Sequence, residues 1–128
     1  MAITVLAIGV TGIFSMQKIT IVELEEWQRA GRSFTLLDVR RDKVRRADGA
    51  DIPGGRWLSP DGLFTWKDEV PRDRPVVFVC PHGHELSQGA AATLGAMGLD
   101  ARYLVDGFAG WRDSGRPTVP LPETETQT

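Results

Sequence analysis

A chain of 128 residues, 41% hydrophobic and 25% charged, is sized for one globular domain that buries its own core. Its net charge of -2 gives neither the basic field that nucleic acid requires nor a polybasic patch for a membrane surface, so neither partner is expected. One cysteine excludes an internal disulfide, and a free thiol suits a reducing, cytoplasmic setting.

Met1 to Phe14 is apolar and uncharged, too short to span a membrane, and lacks the basic start and cleavage pattern of a signal peptide. It reads either as an extension of the domain, as an extra strand or a poorly ordered arm, or as sequence upstream of a natural start at Met16. Residues 1–18 are set apart as an N-terminal extension, with the domain proper over 19–117. Thr20-Ile21-Val22-Glu23 is a capping-box pattern and predicts a helix with Leu24 and Trp27 on one face and a stop at Gly31. Phe34 to Val39 reads as a buried strand. Arg40 to Arg46 is dense in charge and predicts a short exposed helical turn, a solvated face. Ile52-Pro53-Gly54-Gly55 is a turn, Arg56 to Leu58 an extended piece, and Asp61-Gly62 another turn. Leu63 to Val70 stays open between loop and short helix.

Pro75 begins the central strand, which runs through Val79. From about Ser87 to Met97, Ala90, Leu94 and Met97 recur at helical spacing, and Gly98 is the stop. Ala101 to Val105 is a further strand, and Asp106 to Trp111 turns into a last helix ending near Gly115. Pro117 to Thr128 is rich in Pro and Thr with few anchoring side chains, so residues 118–128 are expected to form a disordered tail. Strands alternating with helices imply an α/β fold, a parallel sheet covered on both faces. In such sheets the working crevice lies beyond the carboxyl ends of the strands. Cys80 stands at one such end and Asp38-Val39-Arg40 at another.

Cys80 closes an apolar run and opens the loop Pro81-His82-Gly83-His84-Glu85-Leu86-Ser87, just before a helix. A helix N-terminus and free backbone N–H groups favour thiolate, the nucleophilic form of a thiol. The bland alternative, a cysteine packed in the core, is weakened by the Pro and Gly just beyond it. His82, His84 and Glu85 read equally as surface polar residues or as groups that tune the thiolate and donate to an incoming anion. A negative Glu85 opposes thiolate formation unless it points away or pairs with Arg40. Metal binding by Cys80, His82, His84 and Glu85 is disfavoured, because all four fall within six residues of a tight loop. Asp38 supports the neighbouring loop. Arg40 either pairs with Asp38 or faces the crevice to attract anions.

The motifs Leu36-Leu37-Asp38-Val39-Arg40, Ile52-Pro53-Gly54-Gly55, the strand into Cys80 with Gly83, the helix after Ser87, and Asp106-Gly107-Phe108-Ala109-Gly110-Trp111 occur in a fixed order over Ile19 to Pro117. In that order the chain resembles the rhodanese-like domain family. The resemblance implies a five-stranded, mostly parallel sheet with helices on both faces. It also implies a sulfurtransferase in which Cys80 takes a sulfane sulfur from thiosulfate or a related donor as a persulfide and passes it to an acceptor. The implied substrate loop is Pro81 to Ser87 together with Arg40, its backbone N–H groups holding the anionic sulfur. No cofactor or metal is implied. The partners are a small-molecule sulfur donor and a thiol acceptor, small or protein-borne, and the chain is expected as a monomer or weak dimer.

Two departures stand out: Glu85 occupies the place where the family commonly has a loop arginine, and Asp51 precedes Ile-Pro-Gly where histidine is frequent. Without that arginine an obvious thiosulfate anchor is missing. The loop is also similar to that of rhodanese domains associated with chromate-resistance proteins. The rival expectation is a non-catalytic regulatory or partner-docking module. Phosphatase chemistry on the same fold needs a clamping arginine, and none lies between Cys80 and Arg102.

Overall fold

A computed structural model describes residues 17–122. The expectations for residues 1–16 and 123–128 fall outside the described residues. Five strands form one parallel sheet: β1 (Gln17–Ile19), β2 (Thr35–Asp38), β4 (Arg56–Trp57), β5 (Val76–Val79) and β6 (Ala101–Leu104). Their spatial order is β1-β6-β5-β2-β4, so β5 is the central strand. Four consecutive β-branched or aromatic residues make β5, and all four are buried, as a strand covered on both faces requires. Each such side chain contributes roughly 1.5–3 kcal/mol by leaving water.

The side-chain alternation of β5 splits the core into two layers. Val76, Phe78 and Cys80 point to one face, with Leu37, Val39, Ala90, Ala91 and Leu94. Helix α4 (Glu85–Ala96) and the short helix α3 (Leu63–Trp66) cover that face. Val77 and Val79 point to the other, with Ile19, Leu24, Leu36, Leu104, Phe108 and Trp111, under α1 (Ile21–Arg29) and α5 (Gly107–Asp113). The capping box of α1 forms: Glu23 N donates to Thr20 Oγ1 at 3.1 Å, and Thr20 N to Glu23 Oε1 at 2.9 Å.

Several expectations are corrected. Helix α4 starts at Glu85, two residues before Ser87, so Ser87 lies in its first turn. The segment after Asp61, open between loop and helix on sequence grounds, is a chain of short helical turns over 60–69, with α3 at its centre. The charged run is helix α2 (Asp42–Asp48), but it is not a purely solvated face, because Arg40 and Arg45 are buried. Two sheet segments lie just outside the expected 19–117 span. Gln17 and Lys18 belong to β1. Val119–Pro120 form β7, antiparallel to β3 (Ala50–Asp51). The segment before β7 is anchored by Trp111, whose Nε1 donates to the carbonyl of Pro117 at 2.7 Å, a contact that composition does not reveal.

Candidate active site

Cys80 comes directly after β5 at the carboxyl end of the sheet, and it is only 2% exposed. Its carbonyl accepts from Phe108 N at 2.9 Å and that of Pro81 from Ala109 N at 3.0 Å, so the loop is tied to the start of α5. The two backbones touch without side chains between them. Gly83 (φ +75°) leaves no room for a Cβ, which would stand 2.5 Å from the carbonyl oxygen of Leu104. A Cβ on Gly107 (φ +59°) would overlap the carbonyl oxygen of Cys80. Left-handed backbone and close approach both demand glycine at these two points. Gln88 closes the loop from the helix side, its Nε2 donating to Gly83 O at 2.9 Å.

The polar partner of the sulfur is Ser87. Its Oγ lies 3.0 Å from Cys80 Sγ, and the residue is fully buried. Starting α4 at Glu85 brings this hydroxyl back over the strand end. Among the described residues, no acceptor takes the backbone N–H groups of His82, Gly83, His84, Glu85, Leu86 or Ser87. A run of unclaimed amides at a helix N-terminus is a receptor for negative charge.

The other loop residues divide between two flanks. His82 and His84, with ring centroids 6.3 Å apart, line an open hollow with Asp106 and Asp113. Glu85 and Leu86 line a groove on the opposite, α3 side. Pro81 is half-buried. The structure therefore does not converge Cys80, His82, His84 and Glu85 on one point, and among the described residues no group of three or more His, Cys, Asp or Glu could hold a metal ion.

Arg40 is the residue whose placement resolves an open expectation. It is fully buried and does not face the crevice, nor does it pair with Glu85. Its Nη2 donates to Asp38 at 2.5 Å, to Asp51 at 2.7 Å and to the carbonyl of Ala50 at 3.0 Å, and its Nη1 to Asp48 at 3.0 Å. The guanidinium also stacks on Phe108, 4.0 Å from the ring centroid. Burial alone disfavours its charge, but the hydrogen bonds and charges of Asp38, with Asp48 and Asp51, outweigh that and raise its pKa above the ordinary arginine value. Arg45 completes the cluster, forking onto Asp51 at 2.6 and 2.9 Å. Asp51 thus serves as the shared acceptor of two buried arginines, which accounts for a carboxylate before Ile-Pro-Gly. Asp38 Oδ1 also accepts from the backbone N–H of Arg40 at 3.0 Å, a local contact just past the end of β2.

Sequence reasoning missed Arg45, Asp48, Phe108, Gln88 and the backing turn at Asp106-Gly107 as parts of this end of the sheet. The Asp-Gly pair, with Asp106 itself left-handed at φ 67°, is the one local signal that points there.

Comparison with known proteins agrees with this architecture. A family model described as the rhodanese-like domain matches residues 20–114. The thiosulfate sulfurtransferase GlpE of Tolumonas auensis is 35% identical over 81 residues, 62% of this chain and 74% of that protein. A crystal structure of a rhodanese-related protein from Thermoplasma volcanium superposes with a TM-score of 0.70 at 25% identity, covering 80% of this chain and 97% of that one. A Rhodopseudomonas palustris protein of unknown function, described as a possible tyrosine phosphatase, superposes with a TM-score of 0.69 at 29% identity, covering 80% and 83%. Among the described residues, no helix is long and apolar enough to cross a membrane.

Proposed function

The chain belongs to the rhodanese-like domain family, which is of sulfurtransferase type, and from that premise we propose that it carries sulfane sulfur as a persulfide on Cys80. The observation that supports this reading is the juxtaposition of one sulfur, the Ser87 hydroxyl 3.0 Å away, and six consecutive amides with no acceptor among the described residues. Ser87 donates to the Cys80 thiolate and keeps it oriented. The thiolate attacks the outer sulfur of a donor such as thiosulfate. A new S–S bond forms to Cys80, the S–S bond of the donor breaks, and sulfite leaves with the electron pair. The loop amides take up the charge of the resulting persulfide anion. An acceptor thiolate or cyanide then attacks the outer sulfur and restores the Cys80 thiolate. With one cysteine in the chain, discharge falls to an outside molecule, a small thiol or a protein thiol. A reducing cytoplasm keeps a free thiol of this kind available, and we place the chain there.

Phosphatase chemistry, suggested by the R. palustris relative, is not favoured. Neither flank of the loop is lined by a guanidinium, and Arg40 spends its donors on aspartates. The deciding experiment is the intact mass of the protein before and after incubation with thiosulfate and then with mercaptopyruvate. Gain of one sulfur atom, absent in Cys80→Ser, is the expected result. No gain from either donor while Cys80 remains alkylatable overturns it in favour of a non-catalytic docking module.

A further inference from the structure

The groove on the α3 flank differs in chemistry from everything else around the loop. Leu63 and Trp66 of α3 face Leu86 and Ala90 of α4 across a volume of 200 Å³, and these four side chains also pack in the core layer that contains Cys80. A cavity of roughly 150 Å³ accommodates a benzene ring, so the groove has room for a phenyl or branched alkyl group. Its one charged lining residue is Glu85, and no lysine or arginine lines it. A small oxyanion gains nothing from these walls and is repelled by the carboxylate, whereas an apolar group without negative charge is drawn in on both counts.

We propose that this groove seats the organic group of the thiol that receives the sulfur, and that this acceptor is apolar and carries no negative charge beyond its own sulfur. The inference rests on the carrier reading of Cys80 and adds the class of its acceptor. The acceptor thiolate, R–S⁻, attacks the outer sulfur of the Cys80 persulfide anion. The bond between the two persulfide sulfurs breaks with its electron pair left on Cys80. The products are R–S–S⁻ and the Cys80 thiolate, with charge conserved and no outside oxidant or reductant.

The test separates loading from discharge. Protein loaded with sulfur and confirmed by intact mass is freed of donor and mixed with benzyl mercaptan, cysteamine or 2-mercaptoethanesulfonate, and loss of the added sulfur is timed per unit of thiolate. Benzyl mercaptan is expected to discharge the protein about tenfold faster than the sulfonate thiol, the scale of one good apolar contact. Glu85→Gln is expected to raise the sulfonate rate relative to the benzyl rate. Gly89→Leu gives the second check: Gly89 lines the groove, and a Cβ there meets nothing within 4 Å. Compared at equal loading, Gly89→Leu is expected to lose the benzyl preference. Equal rates for benzyl and sulfonate thiols on the unmodified protein, or an undiminished preference in Gly89→Leu, overturn the inference while leaving the carrier intact. Failure to load any sulfur overturns the carrier, and this inference with it.

Discussion

Two neighbouring strands, β2 and β5, pair in register with Asp38 opposite Val79, yet the chain leaves them on opposite terms. Past β2 it buries a guanidinium and surrounds it with three carboxylates, a carbonyl and an aromatic face, so its donors are taken up within the fold. Past β5 it buries a sulfur and leaves six amides in succession without an acceptor among the described residues. Buried charge is tolerable only when fully compensated, whereas the first amides of a helix have no partner within it and stand open to water or a ligand. The first strand end is a brace, and the second is, in the function proposed for it, a receptor. The brace sits behind the receptor through Phe108, which stacks on Arg40 and whose N–H holds the carbonyl of Cys80.

The comparison breaks most visibly if the brace is dispensable. Arg40→Met removes the cation from between Asp38, Asp48 and Asp51, and the stranded carboxylates should cost about 3–5 kcal/mol of stability, read as a lower urea midpoint. A loss below about 1 kcal/mol would show that the cluster is not structural. Cys80→Ser, by contrast, should leave that midpoint nearly in place while abolishing sulfur transfer.

On the receptor side, Gly83→Ala places a Cβ against Leu104 O on a left-handed backbone. Strain of about 1–3 kcal/mol is expected, with slower sulfur loading because the amide run is displaced. Denaturation and loading rate, measured on the same variant, check both effects. Ser87→Ala is the sharper probe, since it deletes one hydroxyl and little volume. Loss of the hydroxyl that donates to the thiolate of the proposed reaction, a hydrogen bond of about 1.5–3 kcal/mol, should slow iodoacetamide alkylation and sulfur loading roughly tenfold or more, with little change in fold. Unchanged rates would remove Ser87 from the site.

The smallest effect lies far from either strand end. Thr20's backbone N–H, and then its side chain, hold the Glu23 carboxyl below its ordinary value of 4.5. A folded pKa below the unfolded one means the contribution is complete above the unfolded value and is lost as pH falls through the folded one. Glu23 is solvent-exposed, so about half a kcal/mol or less is at stake. The urea midpoints of wild type and Glu23→Gln should therefore differ slightly at neutral pH and converge in acid. A gap that persists in acid would assign the difference to something other than the charge.

Legibility in the sequence tracks the range of the interactions. The Thr20-Glu23 box, the apolar run of β5 and the cysteine at its end depend on residues within a few positions of one another, and each is readable in place. Arg45 is not, and of Arg40's partners only Asp38 is, because the others lie beyond the charged run: Asp51 is eleven residues from Arg40, and Phe108 arrives from the far end of the chain. A run of arginines reads as solvated until the carboxylates that neutralise it are known. Local pattern puts Ser87 in the loop, but its bond to Cys80 depends on α4 starting two residues earlier than its periodicity suggests. The Pro-rich composition of the C-terminal segment hides β7, whose order comes from β3 and from Trp111.

By itself, then, the sequence determined the α/β alternation, the central strand and the position of one thiol beyond its end, since hydrophobic period and local caps act over one or two turns. Only the tertiary structure decided which arginines are interior, which hydroxyl meets the sulfur and which flank of the loop is apolar. Those outcomes depend on side chains from different elements arriving at the same few ångströms, where burial makes each unpaired charge or donor count.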